Sequence, residues 1–235
     1  MLCSGIELGI SPDGEGIYIM EEQAPVGVEL KEYLDDYVFD LELTPNRPDE
    51  LSIVGIAREI AALTGAQLRV PETTIPLSGF KSADLITVEI QEPDLCPRYT
   101  AVVIKGVEVK PSPLWMQRRL YLCGMRPISN IVDVRQLTEE MLVIADHKEA
   151  VAIAGVMGGL YSEVDDSTTT VVLESANFHR TNIRRTSQAL RLSTEASKRF
   201  EKGLDPEWTV PAALRAASLM VELGGGLVGE GVVDE

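Results

Sequence analysis

An α+β chain is predicted by two kinds of segment that alternate along it. Short runs rich in β-branched residues and bounded by turn formers read as strands, at Ile86–Ile90, Tyr99–Val109 and Val171–Leu173. Three longer segments carry apolar residues three or four apart between start and stop signals and read as helices, at Asp49–Gly65, Ser112–Gly124 and Asp205–Gly224. The chain has 235 residues, 45% hydrophobic and 25% charged. That is enough for one large domain or two small ones with a real core.

Residues 1 to about 40 read as short strands and turns. Ser11-Pro12-Asp13-Gly14 is a strong turn signal, and Ile17–Met20 is a brief strand. The helix over Asp49–Gly65 has Pro48 near its start and Gly65 where a left-handed cap belongs. Ile53, Ile56, Ile60 and Leu63 form one apolar stripe on it, predicted to be buried together, with Arg58 and Glu59 on the other face. In the preceding Thr44–Pro48 loop, Asn46 and Arg47 are candidates for RNA contact. Fixing the start of the helix is the competing role.

Residues 71–83 are rich in turn formers and read as a linker, dividing a small helical element at 41–70 from a larger module at 84–235. Ile86–Ile90 and Tyr99–Val109 follow as alternating strands. Ser112 then reads as an N-cap with Pro113 at the first helical position and Gly124 closing the helix. Met116, Leu120 and Cys123 share one face of it, and Arg118 and Arg119 are solvated. The last helix runs from the Asp205-Pro206 cap to Gly224. Val210, Leu214, Ala217 and Val221 form its stripe, and Pro211 is expected to kink or fray its first turns.

Composition removes several functional classes. A formal net charge of -16 and a pI near 4.6 argue against broad affinity for nucleic acid or anionic membranes. Aromatic residues are 5% of the chain, little material for a base-stacking platform. Cys3, Cys96 and Cys123 are scattered, without C-x-x-C spacing, and read as reduced thiols of a cytoplasmic protein; Cys123 reads as a packing residue. No run approaches the roughly 18 apolar residues of a membrane span, and no secretory signal is seen. His147 and His179 have no metal-ligand partner at helical spacing, and the runs Gly155–Gly159 and Gly224–Gly226 lack a phosphate-loop lysine. No metal site, ATP loop or nucleophile-base pair is predicted.

The stretch from Thr170 to Pro206 carries the most functional information. Its strand delivers Glu174, followed by the small residues Ser175 and Ala176. From Asn177 to Lys202 there are seven Lys or Arg against two Glu. A basic island in an acidic chain suggests a local partner with phosphates. Arg184, Arg185, Lys198 and Arg199 are the candidate contacts, expected to form a patch near Glu174. Read from the residues, Glu174 is either a site carboxylate or a structural one satisfied by nearby arginines.

Several long motifs, in order, resemble the bacterial phenylalanyl-tRNA synthetase β subunit. Leu173–Phe178 with Ile183–Pro206 resembles the end of its B3/B4 module, Cys96–Val134 the start, and Ala150–Gly159 the glycine-rich middle. Thr44–Gly65 resembles its B1 element, and Met1–Ile10 the last part of its OB-fold tRNA-binding domain, here residues 1–40. The resemblance implies mixed or antiparallel sheets layered with helices. It also implies an editing site that hydrolyses tyrosine wrongly attached to phenylalanine tRNA. By matched position, Glu174 would recognise the tyrosine hydroxyl, with Gly158, Thr194 and Ala196 lining the pocket. A site built to hydrogen-bond a hydroxyl rejects its absence far better than an apolar pocket rejects an added methylene. The implied partners are the synthetase α subunit in an α2β2 enzyme, the 3′ end of tRNA(Phe) and a tyrosine or phenylalanine-like aminoacyl group. Aminoacylation, with its ATP and magnesium, belongs to the full synthetase.

One departure stands out. After Val134 the family continues with a segment holding a Gly-Gln-Pro-x-His-Ala-Phe-Asp motif, including the histidine and asparagine that border the pocket. Here the chain runs directly into Arg135–Asp146. Impaired editing is therefore expected, with that wall of the pocket open or filled by Arg135–Glu140. A non-enzymatic scaffold and a free-standing editing hydrolase are the competing readings.

Overall fold

The computed structural model describes residues 3–10, 14–20, 24–44, 46–73, 75, 79–110, 112–124, 137–159 and 162–235. In chain order the elements are α1 (Leu30–Tyr33), α2 (Ile53–Thr64), β1 (Arg98–Lys105), α3 (Leu114–Leu122), β2 (Val143–Ala145), β3 (Ala150–Ile153), β4 (Met157–Gly158), β5 (Thr170–Asn177), α4 (Arg180–Ala189), α5 (Glu195–Phe200), α6 (Thr209–Gly224), β6 (Leu227–Val228) and β7 (Val233–Asp234). The α+β class is borne out, with antiparallel sheets and helices. The chain divides into two compact units, residues 1–42 with 111–129 and residues 43–110 with 130–235.

The first unit holds α1, α3 and turns. Ile17–Met20 is not a strand, because its one described backbone bond is from Tyr18 N to the Cys3 carbonyl at 2.9 Å. The turn signal at residues 11–14 falls mostly outside the described residues. Helix α3 starts at Leu114, with Pro113 extended at the cap; the Ser112 carbonyl accepts from the Gln117 side chain instead. Met116 is half-buried and Arg119 exposed as expected, but Leu120 and Cys123 are exposed and Arg118 is half-buried.

The second unit is organised by β1. This strand pairs with β5 along its whole length, from Arg98 opposite Asn177 to Lys105 opposite Thr170. On its other edge it pairs with β6 at Ile104–Lys105 and with β7 at Thr100–Ala101. Residues Thr100–Ile104 are buried on both faces, which the continuous apolar run Ala101-Val102-Val103-Ile104 requires. Val102 and Ile104, with Val171 and Leu173 of β5, pack on Ala213, Ala217 and Met220 of α6. The Arg98 guanidinium grips the Asp234 carboxylate with two bonds, of 2.8 and 2.7 Å, and so pins β7 to β1.

Helix α6 begins where the sequence places it. The Asp205 side chain accepts from Glu207 N at 3.0 Å and starts a 3-10 turn, Pro206–Trp208, that runs into the helix. Pro211 lies in the first turn, where its missing N–H is not needed. The inward stripe is rotated from expectation. Ala213 and Ala217 are buried, while Val210 and Leu214 are half-buried. Small residues let the helix approach the sheet closely.

The second sheet is the three-stranded antiparallel β2-β3-β4, made by the glycine-rich middle of the chain. Its inner face joins Phe178, Ile183, Phe200 and Tyr99 in a separate core cluster. Gly155, in the β3–β4 turn, has φ +65, and a Cβ there would meet Ile183 and Phe178 at 3.0 and 3.1 Å. Both the turn and the packing therefore require glycine.

Two expectations fail here. Ile86–Ile90 forms no strand. Its side chains alternate between half-buried and exposed, but its backbone has no ladder. Amphipathic alternation specifies an extended segment, and a strand also needs a partner. On α2 the close at Gly65, with φ 71, is as predicted, but the helix starts at Ile53 rather than Asp49, with Ser52 accepting from Gly55 N and Pro48–Glu50 forming a separate 3-10 turn. The predicted stripe is not buried: Ile53, Ile60 and Leu63 are 86%, 49% and 77% exposed. The helix packs through another side, where buried Gly55 lies against the backbone of Asp49. Arg47 ion-pairs with Asp49 at 3.0 Å and with Glu59 at 2.8 Å, so it fixes the start of the helix. Arg58 lies over the Trp208 ring at 5.3 Å.

These contacts predict opposite outcomes for two small changes. Ile60→Ala should alter urea-unfolding stability by no more than about 0.5 kcal/mol, as for a surface position. Gly55→Ala should cost about 1–3 kcal/mol, because the new Cβ meets the Asp49 carbonyl. A large loss from Ile60→Ala would mean that the stripe is covered in solution.

Candidate functional site

Between the cavity-facing side of β5, the extended 86–92 segment and the β2–β3 hairpin lies a cavity of about 1300 Å³. Glu174 and Gly158 both line it, together with Tyr99, Cys96, His147 and Phe178. Antiparallel register explains the first two neighbours. Glu174 stands opposite Ala101, and Tyr99, two residues earlier on β1, shares that face.

Glu174 lies in the body of β5 rather than at its end. It is exposed, but to the cavity rather than to open solvent, so water touches the carboxylate while protein surrounds it. That partial desolvation raises its pKa above the ordinary carboxylate range. The nearby Tyr99 phenol opposes the shift by favouring the ionised form. The Tyr99 pKa is raised in turn, first by burial and then by the charge of Glu174. Beside them the Cys96 thiol, buried at the foot of the strand, is pushed up to about 11 by desolvation and stays neutral. Among the described residues Glu174 makes no ion pair with any arginine, so the structural-carboxylate alternative lacks its partner.

The other matched positions divide. Gly158 meets open space, with nothing within 4 Å of an added Cβ, so backbone at this point is accessible from the cavity. Thr194 does not line the cavity. It caps α5 by accepting from Ser197 N at 3.0 Å and donates to the Val156 carbonyl at 2.8 Å. Ala196 is exposed and also lies outside the lining. Of Arg135–Glu140, residues 135 and 136 lie outside the described residues; Leu137 packs on the Phe178 cluster.

The cavity is acidic. Glu89, Glu92, Asp146, Glu163 and Glu174 line it with His147, and among the described residues no Lys or Arg lines it. Arg184, Arg185, Lys198 and Arg199 therefore do not line it. Arg184 and Arg185 are exposed on α4 and form no ion pair among the described residues. Lys198 and Arg199 both pair with Glu195 on α5, at 2.9 and 3.3 Å. Such half-exposed helix pairs are weak and would yield to a phosphate. Residue patterning missed Tyr99 and His147. The available signal for Tyr99 was the register of two adjacent strands, which a single sequence does not fix.

Residues 95–136 and 134–225 match the B3/4 domain family. The phenylalanine–tRNA ligase beta subunit of Salinibacter ruber is 41% identical over 285 residues, covering 100% of this chain and 34% of that protein. Those of Moorella thermoacetica and Carboxydothermus hydrogenoformans are 44% identical over 285 residues and 41% over 276. They cover 100% and 97% of this chain and 36% and 34% of their own lengths. The chain spans about a third of the length of the curated relatives it matches.

The environment of Glu174 predicts how stability varies with pH. A carboxylate whose folded pKa is raised lowers stability when ionised. The penalty is absent below its unfolded value, near 4.3, and is complete above the raised folded value. Glu174→Gln should therefore raise the thermal midpoint at pH 7–8, and the advantage should vanish as pH falls through that window. A destabilising Glu174→Gln at neutral pH would mean that the carboxylate is structurally satisfied.

Proposed function

As the chain belongs to the B3/4 domain family and is homologous to phenylalanine–tRNA ligase beta subunits, we propose that its cavity receives the aromatic aminoacyl group of a mischarged tRNA, with Glu174 accepting the tyrosine hydroxyl. The observation that carries this reading is a partly desolvated carboxylate that faces a cavity and has no cationic partner among the described residues. A fully paired carboxylate would have little to offer a phenol. An unpaired one offers a hydrogen bond that phenylalanine cannot return, and discrimination of that kind is large. The acidic lining suits an aminoacyl ester, whose ammonium is free and whose carboxyl carries no charge.

Hydrolysis is proposed to be impaired. The relatives align over 276 to 285 positions against 235 residues in this chain, and the family match falls in two blocks that meet at residues 134–136. Both facts support the loss of an internal segment after Val134. Without its histidine and asparagine, fewer donors remain to position a hydrolytic water. Division of the chain into an OB-fold remnant (1–40), a B1-like element (41–70), a linker (71–83) and a B3/B4 module (84–235) is part of the same proposal.

The chain would act beside the synthetase α subunit on the 3′ end of tRNA(Phe) in the cytoplasm. ATP and magnesium are assigned to the full enzyme. Arg184, Arg185, Lys198 and Arg199 are proposed to meet RNA phosphates outside the cavity, which predicts steep salt dependence. Among the described residues no helix is long and apolar enough to cross a membrane. A second reading, a non-enzymatic scaffold within the synthetase, is favoured by the placement of Thr194 and Ala196 outside the cavity lining.

Deacylation of Tyr-tRNA by the chain tests the proposal, with L-tyrosine binding measured alongside. Weak tyrosine binding that Glu174→Ala abolishes, with little or no deacylation, is the expected result. Gly158→Ala should keep wild-type stability, since its Cβ meets open space, yet weaken tyrosine binding. Efficient deacylation abolished by Glu174→Ala would show that the segment after Val134 is dispensable. No preference for tyrosine over phenylalanine would favour the scaffold.

A further inference from the structure

The chain already carries a phenol beside Glu174. Tyr99 on β1 and Glu174 on β5 are diagonal neighbours on one face of the sheet, and both line the cavity. The residue opposite each is alanine: Ala176 stands across from Tyr99, and Ala101 across from Glu174. Small side chains at both opposed positions leave the diagonal open. An aromatic and a glutamate can meet across that distance. The Tyr99 ring packs on the Phe178–Ile183 cluster, so the phenol is held from behind rather than free to swing.

We propose that Tyr99 is the positioning residue of this cavity: its hydroxyl binds one oxygen of the Glu174 carboxylate and leaves the other to accept a ligand phenol. This rests on the reading of Glu174 as a phenol acceptor. A carboxylate has two oxygens and about four acceptor sites, so an internal donor and a ligand donor are compatible. The internal donor has two effects. It removes side-chain freedom that binding would otherwise have to remove. It also stabilises the ionised form, the acceptor form, against a surrounding that opposes it. That opposition comes from burial, and other acids face the same cavity. Glu89 and Glu92 do so from the 86–92 segment, Asp146 beside His147 from the β2–β3 turn, and Glu163 from the segment before β5. Cys96, the other titratable group beside Tyr99, is neutral at physiological pH.

The experiment uses the whole chain, with Glu carboxyls labelled with carbon-13, as wild type and as Tyr99→Phe. Glu174→Gln serves to assign the Glu174 signal. Phenylalanine keeps the ring and its packing, and the labelled spectrum reports directly whether the variant folds. L-tyrosinamide and L-phenylalaninamide are the binding probes, because an acidic cavity disfavours a free carboxylate. In Tyr99→Phe, Glu174 should titrate at higher pH than in wild type. L-tyrosinamide affinity at neutral pH should fall about three- to ten-fold, the scale of one net hydrogen bond. The acid limb of its binding profile should move up with the Glu174 titration, and L-phenylalaninamide affinity should hold.

An unchanged Glu174 titration overturns the proposal, as does equal or tighter L-tyrosinamide binding by Tyr99→Phe, which would make Tyr99 a competitor or mere packing. If wild type shows no preference between the two amides, the phenol-acceptor reading fails and the proposal fails with it. The titration then still tells whether Tyr99 holds the carboxylate.

Discussion

The eight-residue antiparallel register between β1 and β5 is the constraint on which the second unit depends. It sorts side chains to two faces with opposite duties. Val102, Ile104 and Leu173 go to α6 and form a core, while Tyr99, Ala101 and Glu174 go to the cavity. A slip of one residue would send Glu174 into the α6 core and Leu173 to water. The burial of Val102 and Ile104 therefore holds the carboxylate in place, although neither residue touches the site. Strand β1 is in turn fixed on its other edge by β6, by β7 and by the clamp of Arg98 on Asp234. The Glu174 carboxylate is thus mounted on a strand paired along its whole length with the most buried strand among the described residues.

The electrostatics of the unit divide along the same lines. Burial raises the free energy of an ionised Glu174, and among the described residues no cation lines the cavity to offset it. Such a residue is a net cost to folding, the usual sign of a group kept for something other than stability. The cations of the basic island lie elsewhere, on the exposed sides of α4 and α5. A ligand with phosphates at one end and an uncharged, hydroxyl-bearing ring at the other suits that division. A ligand with phosphate inside the cavity does not.

Much of the fold was legible because the signals were local. The close of α2 at Gly65, the Asp205 cap before α6 and the β-branched run of β5 each follow from residues within a few positions of one another. The failures all concern partners. Ile86–Ile90 has strand patterning but no ladder, and Ile53, Ile60 and Leu63 have core spacing but are exposed among the described residues. Thr194 matches a pocket position yet serves as a helix cap, a role its Thr-x-x-Ser spacing also encodes. Tyr99 was invisible as a site residue, since its importance comes from standing two residues from the partner of Glu174 in a register no single sequence displays.

Recognition and hydrolysis place different demands on a scaffold, and the proposed reading separates them in this chain. Accepting a phenol proton requires one carboxylate in a fixed orientation, which a strand pair with small opposed residues and an internal donor can supply. Aligning a water on an ester requires donors converging from several directions, usually from loops above a sheet. In the proposed reading the strand-borne part persists because the core that holds it also holds the fold. The loop-borne part would lie outside that core, since among the described residues the cluster that β1 and β5 form with α6 takes no side chain from the chain between Val134 and Thr170. A chain that loses that segment would keep its preference for a hydroxyl while losing its rate.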